Sequence, residues 1–269
     1  MYPNKNKRCD NMKIGGYSHF DGITFFCDVL KIKGRRKKNI KNISYDIEWI
    51  IPPRWLRKLE NKFMLGGLLV AYYQWKVLDK KIRHLFLLLL GFYLIEEIVD
   101  LSAIDYYFNY LIDKLGIYII VAAALIILLN YKKILKIFRY HGAEHKAINC
   151  YIQHGYVDPY LIKKASRFNI RCGSNISSIF LVLYAPLWFL NIDSLTIGFI
   201  IFLISLQIIR VLAKKNYKWN KYVQILQWIT ALEPNDEELE VAVETFNQVQ
   251  KAHYIYQSEL RASKEPLKA

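Results

Sequence analysis

The chain has 269 residues, of which 54% are hydrophobic and 15% aromatic, and it carries a formal net charge of +15. Nucleic-acid binding would account for the basic charge but not for the long apolar runs, so nucleic acid is excluded as the expected partner. Apolar spans joined by basic loops account for both features, because Lys and Arg collect on the cytoplasmic side of membrane proteins. The composition therefore predicts a membrane protein whose first partner is the lipid bilayer.

The N-terminal region, residues 1–53, predicts a small β-rich cytoplasmic module. Two runs, 23–32 and 43–50, are rich in β-branched and aromatic residues, as is typical of strands. The charged segment 34–38 lies between them and favours a turn, so the two runs predict a β-hairpin. A pair of prolines at 52–53 then ends the module.

Residues 54–83 predict an amphipathic helix lying in the membrane interface. Its apolar stretch is short and bordered by Lys and Arg, which makes it poorly suited to crossing a bilayer. Beyond it, within residues 84–212, four apolar segments each approach the ~20 residues needed to cross a hydrocarbon core about 30 Å thick. The four predicted spans are 84–104, 115–130, 175–191 and 195–212.

The distribution of Lys and Arg predicts the orientation of these spans. The counts are nineteen before residue 84, one in 105–114, nine in 131–175, none in 191–194 and eight after residue 212. This alternation predicts that both termini and the loop 131–174 lie in the cytoplasm. The expected fold is mainly α: a polytopic four-helix transmembrane protein of the cell membrane, with an N-terminal β-hairpin module and a cytoplasmic helical C-terminal region, 213–269.

The loop 131–174 carries a motif of side chains that can bind a metal ion or transfer a proton: His141, Glu144 and His145 follow one another closely. If the helix of the second span continues, the two histidines lie one turn apart on the same face. Two imidazoles at this spacing can bind a divalent metal ion, zinc being the expected one, while the carboxylate acts as general base. The pattern H-x-x-E-H is the inverse of the H-E-x-x-H zinc-hydrolase motif.

His141 and His145 are therefore the predicted metal ligands, and Glu144 is the predicted catalytic residue. The alternative is a polar juxtamembrane segment without metal, because Gly142 favours local unwinding of the helix.

A catalytic zinc site needs a third protein ligand, and Cys172 is the leading candidate. It lies on the same predicted side of the membrane, although a small apolar filler at a helix entry is an equal alternative. Glu233 and Asp236 come next, with Asp236 also interpretable as the N-cap of the following helix. His154, in Gln153-His-Gly155, is interpreted as a turn residue, and His19 and His253 are isolated in the sequence.

The final predicted helix, about 236–262, carries apolar residues at helical spacing: Leu239, Val243, Phe246 and Val249. This stripe predicts packing against the cytoplasmic face of the protein or against a partner. Protein partners are accordingly expected at this helix or at the N-terminal module.

Together these motifs resemble the YqhQ-like family of uncharacterised bacterial integral membrane proteins, which are described as predicted metal-dependent enzymes. Segment 138–146 contains the family's YHGAEHK core, and Arg171-Cys-Gly-Ser174 is similar to its RCGT element. Segment 233–242 resembles its EPDD…EVA segment, and 14–22 resembles its N-terminal GGQAVIEGV stretch. The chain departs from the family pattern at four positions: Tyr17 replaces Gln, Asp21 replaces Glu, and Asn149 and Ile152 stand where a second His and a Glu are common.

Two functions follow as expectations. The first is a metal-dependent membrane enzyme, expected to be a hydrolase acting at the cytoplasmic face, with Glu144 as base. The second is a non-enzymatic membrane scaffold or regulator in which the polar motif ties loops together. A Glu144→Gln variant that folds and assembles but has lost its function would favour the enzyme.

Overall fold

The computed structural model describes residues 12–36, 42–59, 62, 66–99, 102–192, 194–213 and 220–262. Within these ranges the chain is mainly helical, with one antiparallel sheet near the N-terminus. The strands are β1 (Gly15–Ser18), β2 (Gly22–Phe26), β3 (Leu30–Arg36) and β4 (Ile43–Trp49). The helices are α1 (Arg54–Lys58), α2 (Gly66–Val77), α3 (Lys80–Val99), α4 (Ser102–Leu129), α5 (Tyr131–His154), α6 (Pro159–Lys164), α7 (Gly173–Phe189), α8 (Leu195–Leu212), α9 (Asn220–Val223), α10 (Gln227–Thr230) and α11 (Asp236–Ala262).

The sheet is a four-stranded antiparallel meander in the order β1-β2-β3-β4, so the prediction of a two-stranded hairpin was wrong. The first predicted strand contains a turn, which is closed by a 2.9 Å hydrogen bond from the Cys27 N–H to the Leu30 carbonyl. Strand β1 has the sequence Gly-Gly-Tyr-Ser and no β-branched residue, so the sequence gives little sign of it. Part of the predicted charged turn, residues 37–38, lies outside the described residues.

The core forms where the sheet packs against α5 and α11. Phe25 of β2 meets Phe246 of α11 edge to face, with ring centroids 5.2 Å apart. Tyr151 of α5 contacts the same Phe246 ring, also at 5.2 Å. Burying each large apolar side chain contributes about 1.5–3 kcal/mol. The predicted stripe of α11, which includes Phe246, is therefore buried inside the chain.

The segment predicted as one interfacial helix, 54–83, contains α1, α2 and the first residues of α3. Side chains of the sheet donate hydrogen bonds to backbone carbonyls at the C-terminal end of α2. The Tyr17 hydroxyl donates to the Val77 carbonyl at 2.8 Å, and the Lys31 ammonium donates to the Lys76 carbonyl at 2.9 Å. This end of α2 is thus joined to the N-terminal module.

The four predicted spans overlap α3, α4, α7 and α8. The span 195–212 coincides with α8, whereas the other three extend past the ends of their helices, which are Val99, Leu129 and Phe189. Among the described residues, no helix taken singly is both long enough and apolar enough to cross a bilayer. The pair Lys114–Leu129 and Tyr131–His154 meets that criterion together, across a bend of 67°.

Helix α11 begins one residue after its cap. The Asn235 carbonyl accepts the first helical hydrogen bond from the Leu239 N–H at 3.1 Å, and the Glu238 carboxylate accepts from the Asn235 N–H at 2.9 Å. This is the reciprocal half of a capping box. Asn235 rather than the predicted Asp236 therefore occupies the cap position.

Candidate metal centre

Helix α5 continues without interruption through Gly142. The glycine is buried, and a β-carbon there would collide with the Leu232 carbonyl of the segment that crosses the helix. The Leu232 N–H in turn donates to the Phe138 carbonyl at 3.0 Å. Glycine at this position therefore permits a close approach between two segments, and the unwinding that its low helix propensity favours does not occur.

The structure brings three of the predicted site residues together. One donor atom from each of His141, His145 and Cys172 lies within 4.8 Å of the others. The two imidazole centroids are 4.3 Å apart, and Nε2 of His141 lies 3.2 Å from Sγ of Cys172. Cys172 reaches this position as the N-cap of α7, where its sulfur accepts the Ser174 N–H at 3.4 Å.

Backbone carbonyls fix both imidazole rings. Nδ1 of His141 donates to the Thr230 carbonyl at 2.8 Å, and Nδ1 of His145 donates to the Arg167 carbonyl at 2.7 Å. Because a carbonyl can only accept, each Nδ1 carries the proton and each Nε2 presents a lone pair when the ring is neutral. Carbonyls in this position typically orient metal-binding histidines.

Nε2 of His145 is buried and has no hydrogen-bond partner among the residues that the structure describes. The residue is only 1% exposed, so water does not compensate this nitrogen from the surface. A buried acceptor left without a partner costs about 1–3 kcal/mol. A metal ion bound between the two rings would remove that cost, and the residues present therefore fit such an ion.

Glu144 lies on the neighbouring face of α5, outside the group of three donor atoms that the histidines and Cys172 form. Its side chain is buried against β1, where a β-carbon on Gly16 would come within 2.8 Å of its Cγ. Within the described part of the chain, its Oε2 has no hydrogen-bond partner. Burial raises the pKa of Glu144 to about 7, and His141 offsets this effect in part. The carboxyl group can therefore exchange a proton near neutral pH.

The other acidic candidates are placed elsewhere. Glu233 is exposed and pairs with Lys146 at 2.7 Å, while Asp236 pairs with Lys163. Lys146 is itself buried and also donates to the Lys163 carbonyl at 2.9 Å. These contacts join residues 233–236 to α5 and α6. Neither carboxylate therefore lies at the histidine pair.

The segment that carries Cys172 is held by a buried amide network. Gln227 accepts from the Asn169 N–H at 2.9 Å and donates to the Asn169 carbonyl at 2.7 Å. It also donates to Oδ1 of Asn175 at 2.8 Å. Asn149 adds hydrogen bonds to the Ser166 and Phe168 carbonyls. Asn149 therefore stabilises the loop that leads to Cys172.

The sequence did not indicate four parts of the site: two backbone carbonyls, the amide of Gln227 and the missing side chain of Gly16. The carbonyls of Arg167 and Thr230 orient the imidazoles, but any residue type supplies a carbonyl. Gln227 acts through its side-chain amide, and Gly16 acts by having no side chain. For Gly16, the resemblance of segment 14–22 to a family motif was the sequence feature that could have indicated a role at the site.

The remaining histidines lie away from this centre. His154 is exposed at the end of α5, and His19 shares a 2.8 Å hydrogen bond with Thr24. Nε2 of His253 lies 3.3 Å from Oδ1 of Asp28, next to Cys27, and the three residues make a second group of donor atoms. Burial opposes the ionisation of Asp28, but the His253 side chain, a backbone hydrogen bond and the charge of Lys13 together outweigh it, so the pKa of Asp28 is lowered. We interpret this group as a contact between the sheet and α11.

Comparison with known proteins places the chain in a family. A family profile described as "Protein of unknown function (DUF1385)" matches residues 69–252, which is more than half of the chain. Over 128 residues the chain is 35% identical to a Bacillus subtilis protein named "Uncharacterized protein YqhQ". That match covers 42% of this chain and spans only 40% of the length of the relative. No solved structure matches the chain. The chain belongs to the DUF1385 family, as its resemblance to YqhQ-like proteins predicted.

Proposed function

We propose that this protein is a zinc-dependent hydrolase that acts at the cytoplasmic face of the cell membrane. The observation that carries the proposal is the convergence of His141, His145 and Cys172 around a buried imidazole nitrogen to which no described residue offers a hydrogen bond. Three protein donors are the ligand set of catalytic zinc sites, whose fourth position serves the reaction. A zinc ion bound there would act as a Lewis acid toward a carbonyl or phosphoryl group.

The chain's own residues supply the rest of the proposed chemistry. The Thr230 and Arg167 carbonyls hold the two imidazoles in the orientation that presents Nε2. Glu144 takes a proton from the attacking water and returns it to the leaving group, as a general base and then a general acid. The close approach of Gly16 to Glu144 limits the positions that this carboxylate can adopt.

The membrane location is supported by the surfaces of the apolar helices. Large apolar side chains are exposed along α4, α7 and α8, where Leu129 is 82% exposed, Phe189 76% and Val182 73%. Contiguous apolar surface of this kind marks an interface with a membrane or with another protein. The alternation of Lys and Arg between segments favours the membrane and a cytoplasmic position for α5.

The first test is the metal content of the full chain purified in detergent. We expect about one zinc ion per chain, and almost none in a variant carrying His141→Ala and His145→Ala. The matched control carries His84→Ala and His154→Ala, which removes two exposed histidines outside the group, and it should keep its zinc. Zinc that is absent from the wild type, or equally present in the His141/His145 variant, would refute the proposal.

A further inference from the structure

A cavity of about 530 Å³ lies beside the candidate metal centre. One wall is α5, where Asn149 follows His145 by one helical turn on the same face. Another wall is the segment that leads to Cys172, including Arg171. Ala213 and Lys221 also line the cavity. The cavity and the centre therefore share α5 and the loop before α7, and the volume is in the range of small-molecule sites.

The lining of the cavity combines apolar side chains with polar and basic ones; its apolar members are Ile152, Phe168, Ile170 and Ala213. Arg171 and Lys221 contribute two cations, and Asn149 and Gln224 contribute carboxamides. None of the described residues that line the cavity is acidic. Such a lining disfavours a cation or a purely apolar ligand and favours an anion, which cationic side chains bind through charge-assisted hydrogen bonds.

The two cations also differ from other basic side chains near the centre. Lys136, Lys146 and Lys163 each pair with a carboxylate of the segment 233–237. Neither Arg171 nor Lys221 takes part in any ion pair between described residues. Among the described residues no carboxylate neutralises either charge, and Lys221 Nζ lies 4.9 Å from the centroid of the Tyr222 ring.

The position of the cavity in the fold indicates where its ligand comes from. Arg171 lies two residues before α7 begins, and Ala213 directly follows the end of α8. The cavity therefore lies at the shared end of the two apolar helices, which pack against each other. In the proposed topology this end is the cytoplasmic membrane surface, where lipid headgroups lie.

We propose that this cavity binds a phosphate-bearing anion, either an anionic lipid headgroup or a soluble phosphate, beside the metal centre. Arg171 and Lys221 contact the phosphate oxygens, and the carboxamides contact the polar groups attached to it. The inference rests on the proposed hydrolase, because it names the class of substrate that the zinc site would act on.

The test is calorimetric titration of the full chain in detergent with three probes: inorganic phosphate, dihexanoyl phosphatidic acid and dihexanoyl phosphatidylcholine. The main variant carries Arg171→Gln and Lys221→Gln. Its matched control carries Arg54→Gln and Lys251→Gln, which removes the same two charges from exposed positions away from the cavity. A second variant, Ala213→Trp, fills the cavity without changing the charge, and melting curves verify that each variant is folded.

We expect binding of phosphatidic acid to weaken by roughly tenfold for each cation removed, since charge-assisted hydrogen bonds are lost. The control pair should bind like the wild type, and Ala213→Trp should bind more weakly. Phosphatidic acid binding without inorganic phosphate binding identifies a lipid headgroup, and equal binding of both identifies phosphate itself. Equal losses in the two charge pairs, or binding of phosphatidylcholine as tight as that of phosphatidic acid, would overturn the inference.

The metal content of the same samples separates this inference from the proposed function. If the wild-type protein contains no zinc but still binds phosphate through Arg171 and Lys221, the zinc hydrolase is refuted and the anion site is supported. Protein with zinc whose phosphate binding is unaffected by the two substitutions refutes the anion site alone.

Discussion

At Gly142 two segments approach so closely that any side chain would separate them. The helix carrying the histidines meets the segment whose Thr230 carbonyl orients His141, and the missing β-carbon leaves room for the Leu232 carbonyl. The obstacle is a backbone atom, so it cannot move away by rotating a side chain. The close approach is therefore a condition for the geometry of the site.

Replacing Gly142 with alanine should destabilise the protein by about 2 kcal/mol, because overpacking outweighs the ~1 kcal/mol gain in helix propensity. It should also reduce bound zinc, since α5 and the Thr230 carbonyl would move apart. Melting temperature and zinc content in detergent measure both effects. Gly91→Ala is the control, because nothing lies within 4 Å of a β-carbon there. Equal melting temperatures for the two variants would show that the close contact at Gly142 does not contribute to stability.

At the scale of elements, helix α5 was predictable and its partners were not. The apolar spacing before His141 predicted a helix, and the i, i+4 pair predicted a shared face, which the 4.3 Å distance between the two rings agrees with. Cys172 was proposed from its chemistry and its predicted side of the membrane. No sequence pattern indicates that α10 would bring Thr230 and Gln227 to the same place.

The sheet shows a second limit of sequence patterns. A continuous β-type run, 23–32, conceals a turn, because Asp28 and Val29 interrupt the strands without any glycine or proline. Strand β1 is four residues long and contains two glycines, which strand propensities disfavour. It forms because β2 offers a paired edge and α5 offers a surface, both of which are tertiary effects.

The loop between α6 and α7 depends on the amide of Gln227. Replacing Gln227 with leucine leaves the Asn169 N–H and Oδ1 of Asn175 without their partner. Each buried polar group left unpaired costs about 1–3 kcal/mol, so we expect destabilisation of about 3 kcal/mol. Zinc retention should also fall, since this loop carries Cys172 and the Arg167 carbonyl.

Chemical denaturation and zinc content of the Gln227→Leu protein check this expectation. Gln153→Leu makes the same substitution at an exposed position on α5 and should change stability by less than about 0.5 kcal/mol. A Gln227→Leu protein as stable as the Gln153→Leu protein would show that the network does not hold the loop.

For the whole molecule, the proposed topology places both α11 and the metal centre in the cytoplasm and the turn between α7 and α8 outside. An impermeant maleimide reagent applied to intact cells should therefore label Ser194→Cys. It should label Lys251→Cys only after permeabilisation. The wild type is its own control, because its four cysteines are all predicted to face the cytoplasm and should stay unlabelled in intact cells. Labelling of both positions from the same side would contradict the topology.

X-ray absorption at the zinc edge tests the central claim most directly, because it reads the ligands of the metal. In the wild type we predict two imidazole nitrogens at about 2.0–2.1 Å and one sulfur at about 2.3 Å. In Cys172→Ser the sulfur should be lost while the imidazole signal persists. A spectrum without imidazole, or a sulfur signal that survives the Cys172→Ser substitution, would contradict a centre built from His141, His145 and Cys172.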